Sequence, residues 1–377
     1  MPEDMSLTRP VIIVGLPRSG TSFLTRIINK SLQYFVIDDF YIIQRVDALN
    51  AWGTLTKLQS DALLNEVFTQ IHARSAFPSG MKDLPFDRDD LSSLKDWIDQ
   101  SDYSGKKWSD LVDALLKQLV KRTNTQNWGY KTPQDHLHID KLSTAFPTAI
   151  FIFVIRDPRD VLLSYKNISR EFYLHSEDDL PPLTDDHPKP PSKSAPDGPL
   201  RSLFSRLTRH ISTELRKLKY DGDDARRYNP YIQGTAWRLA AQSYLRWKDK
   251  LPERILLIKY ESILENEESI LQQIATALDC ELKTVPAQDN VTNTSFRPGL
   301  KKKPLTDGEI WLADQALGNI RAQLGYTYSA PGFRIQYLPI LCLLMLRSGL
   351  FFATQFALSQ NRRKRMTRVL SQSLFGK

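Results

Sequence analysis

Residues 11–22 read VIIVGLPRSGTS. An apolar run enters a glycine-bounded loop, and the chain continues as FLTRIINKS, residues 23–31, in a helical pattern. The loop from Gly15 to Ser22 fits the phosphate-loop spacing G-x-x-x-x-G-K-[ST] at every defined position but one. Thr21 stands where the lysine belongs, and Arg18 lies three residues earlier. A glycine turn from a strand into a helix aims backbone N–H groups at an anion from the positive end of the helix dipole. The stretch therefore predicts a polyanion site that draws its fixed positive charge from arginine.

Further along, short apolar runs at 149–155 and 254–259 alternate with helical patterns at 158–170, 233–250 and 261–278, and 41–125 reads as helices with loops. Strands of this kind, separated by helices, are those of a parallel sheet covered on both faces. The expected fold is α/β, a P-loop NTPase-like parallel sheet flanked by helices, with a C-terminal apolar helical tail. The body spans 1–331 and the tail 332–377. Within the body, residues 176–199 hold seven prolines and no strand or helix period, which marks a flexible insertion. In the tail, 335–358 is almost wholly apolar, interrupted by Arg347-Ser348-Gly349, and NRRKRMTR follows at 361–368.

Composition narrows the class. With 41% hydrophobic and 25% charged residues over 377 positions, the chain is ordinary globular protein. Two cysteines, Cys280 and Cys342, are too few for a disulfide framework and suit a reducing compartment. The N-terminus MPEDMSLTRP is acidic and runs straight into the first strand, which suggests a start in the cytoplasm without a signal peptide. The net charge of +8 belongs to the tail, because from Gln315 onward there are nine Lys or Arg and no Asp or Glu. The balanced body lacks the basic, aromatic-studded face of a nucleic-acid binder, so no nucleic-acid partner is expected.

The second apolar strand, AIFIFVI, ends in Arg156 before Asp157. In nucleoside triphosphatases an acidic residue there helps hold magnesium. Both departures replace metal and lysine by arginine, so no metal is expected. These residues resemble the sulfotransferases that use 3'-phosphoadenosine 5'-phosphosulfate (PAPS), in particular the bacterial and tyrosylprotein-sulfotransferase-like group. LPRSGTS looks like their 5'-phosphosulfate loop, and RDPRDVLLSY (156–165), with Arg156 and Ser164, looks like their 3'-phosphate site. YKTP (130–133) and the WRLAAQSYLRW…RILLIKYESIL run (237–264) extend the resemblance over roughly residues 9–305.

What the resemblance implies is transfer of a sulfuryl group from PAPS to a hydroxyl or amine. Pro17, Arg18, Ser19, Gly20, Thr21 and Ser22 would bind the phosphosulfate, Arg156 and Ser164 the 3'-phosphate, and Tyr244 and Lys301 further parts of the nucleotide. Lys131 is the second cation for the transferred group. The position of the histidine base in small-molecule sulfotransferases is taken by Pro133, and His136 and His138 are displaced from it. In the tyrosylprotein group a glutamate about twenty residues past the loop arginine is the base, and VIDDFY places Asp38 and Asp39 at that distance from Arg18, with Asp39 narrowly preferred. A second 3'-phosphate arginine is replaced by Ile168, with Arg159 or Arg170 as substitutes. Two other readings stay open: a nucleotide-binding regulatory protein of the same fold, and a P-loop kinase. The acceptor is not legible. The tail suggests peripheral contact with the inner face of a membrane through 335–368, with a lipid-linked acceptor compatible with it, against a hairpin packed on the protein's own core.

Overall fold

The computed structural model describes residues 9–75, 84–123, 125–167, 228–283, 303–339, 341–342 and 344–346. Five strands, β1 (Val11–Gly15), β2 (Tyr34–Ile37), β3 (Asn127–Lys131), β4 (Ile150–Ile155) and β5 (Ile255–Lys259), form one sheet in the order β2-β3-β1-β4-β5. Every pairing is parallel. Parallel neighbours need crossover connections, and the helices supply them: α1 (Thr21–Ser31) leads to β2, while α2 (Ile42–Ala48), α3 (Lys57–Ser75), α4 (Arg88–Gln100) and α5 (Trp108–Val120) lead to β3.

A 3-10 turn (Pro133–His138) and α6 (Ile139–Ala145) precede β4, and α7 (Pro158–Lys166) follows it. After α8 (Pro230–Trp247) and β5 come α9 (Tyr260–Glu265), α10 (Glu267–Leu278), α11 (Asp307–Leu317) and α12 (Ile320–Gln323).

The alternation of side chains along β1 separates two cores. Ile12 and Val14 join Phe35, Ile37 and the apolar faces of α2 to α6, whereas Val11 and Ile13 join Leu24, Ile28, Ile274 and Leu278 of α1 and α10. All five residues of β1 are buried, as expected for a central strand covered on both faces. The chain leaves β1 toward β3 and β2 on one side and continues to β4 and β5 on the other. In open parallel sheets ligands bind beyond the carboxyl ends of the strands at such a reversal. Here that places the loops after β1, β3 and β4 around one crevice.

Several boundaries differ from the sequence expectation. β2 and β3 were not anticipated. The four residues YFVI follow α1 without a turn signal, and NWGYK has polar ends and a central glycine. The helix expected at 261–278 is two, divided at Asn266, whose side chain accepts the Ser269 N–H at 3.0 Å and caps the second. The helix expected from 233 begins at Pro230, because Asn229 accepts from the N–H groups of Tyr231 and Ile232. The insertion 176–199, Ile168, Arg170, Lys301 and the tail beyond residue 346 lie outside the described residues. The start of the tail packs on the body through Tyr337 and Leu341 against Leu312 of α11.

Candidate active site

The loop after β1 folds as its sequence demands. Gly15 has φ 152°, and a Cβ there would meet the Val154 carbonyl oxygen at 2.3 Å. Gly20, the N-cap of α1 with φ 93°, lies so close to the Tyr260 ring that a Cβ would meet Cδ2 at 2.2 Å. Between them Arg18 adopts φ 74°, a left-handed conformation that costs a non-glycine residue about 1–2 kcal/mol. Strain of this kind collects where a side chain must be aimed. The Ser19 N–H closes the turn onto the Leu16 carbonyl at 3.1 Å, and the Ser19 hydroxyl is buried with no hydrogen-bond partner. It borders a small cavity with Gly15, Phe153, Trp237 and Tyr244. Thr21 is buried; Pro17, Gly20 and Ser22 are partly open.

Arg18 Nε donates to Ser164 Oγ of α7 at 2.9 Å. Arg156, at the end of β4, lies with its guanidinium 4.5 Å from the Tyr260 ring centroid and 3.6 Å from the Asp160 carboxylate. Its Nε is buried without a hydrogen-bond partner. A buried guanidinium N–H left unpaired is costly, and an anionic oxygen is its natural complement. The backbone around it is clamped. Trp237 Nε1 donates to the Arg156 carbonyl at 2.9 Å, the Asp157 N–H donates to Glu261 Oε1 at 2.7 Å, and Tyr326 Oη donates to Glu261 Oε2 at 3.0 Å. Asp157 caps α7 by accepting the Arg159 N–H, and its carboxylate also holds the Arg159 side chain at 2.6 Å. Arg159 is thus engaged with Asp157 and with the Tyr328 ring, 4.1 Å away.

The third group stands at the end of β3. The register Ile13↔Lys131 sets Lys131 beside the approach to the phosphate loop. Its side chain is 3% exposed, and its ammonium pairs with Asp38 and, at 2.5 Å, with Asp39. Arg74 of α3 reaches across 36 residues to donate to the Asp38 carbonyl, and Asp39 has φ 46°. Protein crowds both carboxylates, yet 24% of the Asp38 side chain and 42% of the Asp39 side chain remain accessible. Burial raises the Asp38 pKa, and the Asp39 charge adds to the effect against the pull of Lys131. Burial also opposes ionisation of Asp39, but Lys131 and Arg74 outweigh it and hold its pKa below the ordinary value. For Lys131, burial disfavours the charged form, but the two carboxylates raise its pKa and keep it protonated.

The remaining candidates are supports. His136 is buried, with Nδ1 2.8 Å from the Pro133 carbonyl, and burial lowers its pKa. His138 stacks on Trp52 at 5.2 Å. Tyr244 packs its ring on Phe153 at 5.7 Å. Lys303, two residues after Lys301, donates its N–H to Asn167 Oδ1 at 2.6 Å, at the C-terminal end of α7. Three site supports carried no role in the sequence reading: Arg74, Tyr260 and Glu261. The last two are the Tyr-Glu pair of the resembling motif, and their work is to brace the Arg156 turn. Arg74 had no local signal, because only the tertiary fold brings α3 to the loop after β2.

The chain matches the model of the sulfotransferase family over residues 10–187. It is a sulfotransferase, with sulfuryl transfer as its class of reaction. Among solved structures it is similar to the sulfotransferase domain of the Synechococcus PCC 7002 olefin synthase, at 14% identity over 90% of this chain and 96% of that one, with a TM-score of 0.40. The sulfotransferase domain from the curacin biosynthetic pathway is similar at 13% identity over 90% and 98%, TM-score 0.40. Sulfotransferase STF9 from Mycobacterium avium is similar at 15% identity over 91% and 76%, TM-score 0.35. No curated protein sequence matches the chain.

Proposed function

We propose that the chain transfers the sulfuryl group of PAPS to a hydroxyl or amine of its acceptor. The observation that carries the reading is the Arg18 to Ser164 hydrogen bond of 2.9 Å, which joins the phosphosulfate loop to the helix of the 3'-phosphate motif. In support, the buried Nε of Arg156 and hydroxyl of Ser19 lack partners in the protein, as groups reserved for a ligand would. Arg18 and Lys131 neutralise the leaving phosphate and the transferred group, while Arg156 and Ser164 hold the 3'-phosphate. Backbone N–H groups at the start of α1 add their dipole.

Transfer forms an acceptor oxygen to sulfur bond and breaks the sulfur to phosphate-oxygen bond, so the acceptor's proton needs a base. The sequence leans toward Asp39, but the environments favour Asp38. Its pKa is raised, toward the range where a carboxylate is an effective base, while Asp39 stays ionised as the counter-ion of Lys131. Fixed cations beside a transferring group act by electrostatic preorganisation and positioning.

Two measurements test the reading. In a thermal-shift comparison, 3'-phosphoadenosine 5'-phosphate (PAP) is expected to raise Tm and Mg-ATP to leave it unchanged, by mass action on the native state. Incubation of cell extracts with 35S-labelled PAPS is expected to label an acceptor only when the protein is added. Stabilisation by Mg-ATP alone favours the kinase reading, and PAP binding without labelling favours a regulatory protein.

A further inference from the structure

Among the described residues, exposed apolar side chains concentrate in one stretch of the chain. Of eight large hydrophobic side chains exposed among the described residues, five fall between 333 and 346: Phe333, Ile335, Leu338, Met345 and Leu346. Their exposures run from 44% at Leu338 to 77% at Ile335. Residues 338–339, 341–342 and 344–346 are helical, and the inward positions Tyr337, Leu341 and Leu344 recur at the i, i+4, i+7 spacing of a buried stripe. Tyr337 and Leu341 occupy that stripe against Leu312. The outward positions Leu338, Met345 and Leu346 are apolar as well, where a surface helix ordinarily carries charge. No charged residue occurs from Ile335 to Leu346. The Asn229 amide touches the Met345 sulfur at 3.8 Å, and Tyr231, 40% exposed, lies two residues beyond Asn229 on α8. Exposed apolar side chains clustered in this way mark a contact surface.

Charge identifies the contact. Arg334 precedes the patch and Arg347 follows it, and the sequence then continues through Arg362, Arg363, Lys364, Arg365 and Arg368 with no acidic residue anywhere after Gln315. Apolar side chains flanked by one sign of charge are the composition of an interfacial anchor on an anionic lipid surface. A protein partner of mixed charge would not call for such a bias, and a second copy of the same basic segment would be repelled. Among the described residues no helix is long and apolar enough to cross a membrane. We infer that the exposed apolar side chains between 333 and 346 seat in the headgroup region of an anionic membrane, and that the basic residues flanking them in the sequence supply the attraction to anionic lipid.

The test uses the full chain in flotation with vesicles of phosphatidylcholine, with and without phosphatidylserine. The wild type is expected to float with the phosphatidylserine vesicles and much less with phosphatidylcholine alone, and added salt should weaken binding by screening. Ile335→Glu/Leu338→Glu/Leu346→Glu alters only exposed positions and is expected to lower the bound fraction by about tenfold or more, with Tm unchanged. Arg362→Gln/Arg363→Gln/Lys364→Gln/Arg365→Gln is expected to remove most of the preference for phosphatidylserine. No flotation of the wild type overturns the inference. So does unchanged flotation of the glutamate variant, which would leave the basic run acting alone. A concentration-dependent dimer that the glutamate variant dissociates, without vesicle binding, overturns it in favour of a second copy as the occupant.

Discussion

Arg18 and Ser164 are 146 residues apart in the chain and 2.9 Å apart in the fold, with the arginine Nε donating to the serine hydroxyl. The contact exists because β1 and β4 are neighbours in register, Gly15 opposite Val154. Each strand ends in a turn that feeds a helix, so both turns open at the same end of the sheet. Arg18 follows β1 and Arg156 follows its neighbour β4, while Lys131 ends β3 on the other side of β1.

Arg18→Ala is expected to lower kcat/KM for sulfuryl transfer by about 10² to 10³, the loss typical of one preorganised electrostatic contact. Arg18→Gly separates chemistry from stability. It relaxes φ 74°, worth about 1 kcal/mol, and gives up a hydrogen bond worth about 1 kcal/mol. Its Tm is therefore expected to stay near wild type while its rate falls as far as that of the alanine variant. Turnover at the wild-type rate in either variant would remove Arg18 from the mechanism.

For Arg156→Ala the expected loss is specific to one phosphate. Charge-assisted hydrogen bonds contribute about 1.5–3 kcal/mol, so PAP affinity is expected to fall by about 10- to 100-fold. Adenosine 5'-phosphosulfate, which lacks the 3'-phosphate, is expected to change little. Calorimetry with both ligands checks this, and equal losses would assign Arg156 to general support of the loop through Tyr260 instead.

The phosphate loop and the Arg156 turn were legible in the sequence because each is local. A continuous apolar strand, glycines or a capping aspartate at the turn, and a helix all lie within about fifteen residues. The Lys131 cluster was legible only in pieces. YKTP and the two aspartates stood out separately, but their ion pairs depend on β2, only four residues long, and β3, which has polar ends and a central glycine. Arg74 could not have been found at all, since a lysine- and arginine-bearing helix is by default a solvated one. The order of the sheet was not legible either, although its parallel character was.

Gly20→Ala is expected to damage the site through its neighbour. The backbone there has φ 93°, and the new methyl would overlap the Tyr260 ring. That ring also lies against the Arg156 guanidinium. A left-handed alanine and a displaced ring together are expected to cost about 2–3 kcal/mol of stability, read as a lower midpoint in urea. The accompanying shift of Arg156 is expected to weaken PAP binding. Tyr260→Ala/Gly20→Ala should recover part of the stability lost by the single glycine variant, because the overlap is gone; no recovery would place the damage in the backbone alone.

The last prediction concerns the pH profile, where the coupled carboxylates give a signed result. Transfer needs Asp38 ionised to accept a proton, so kcat/KM is expected to rise with pH through an acidic limb. The Asp38 pKa is raised from 3.8 by burial and by the Asp39 charge, which places the midpoint of the limb above the ordinary carboxylate value. Asp38→Asn is expected to abolish the limb and most of the activity. Asp39→Asn removes a negative charge that opposes ionisation of Asp38 and leaves Lys131 to Asp38 alone; both effects ease ionisation, so the limb is expected to move to lower pH. Lys131→Met acts in the opposite direction. With the ammonium gone the carboxylates repel each other unrelieved, and whatever activity survives should show its limb at higher pH. Stability follows a separate sign. The Asp39 pKa is lowered, so its contribution is complete above 3.8 and is lost as pH falls through the folded-state value. Asp38 works the other way, favouring the fold when protonated and opposing it once pH rises through its raised pKa. Initial rates across acidic and neutral pH for the wild type and the three variants check the assignment. A limb that survives Asp38→Asn but vanishes in Asp39→Asn transfers the role of base to Asp39, and a limb untouched by both substitutions takes the pair out of the proton transfer.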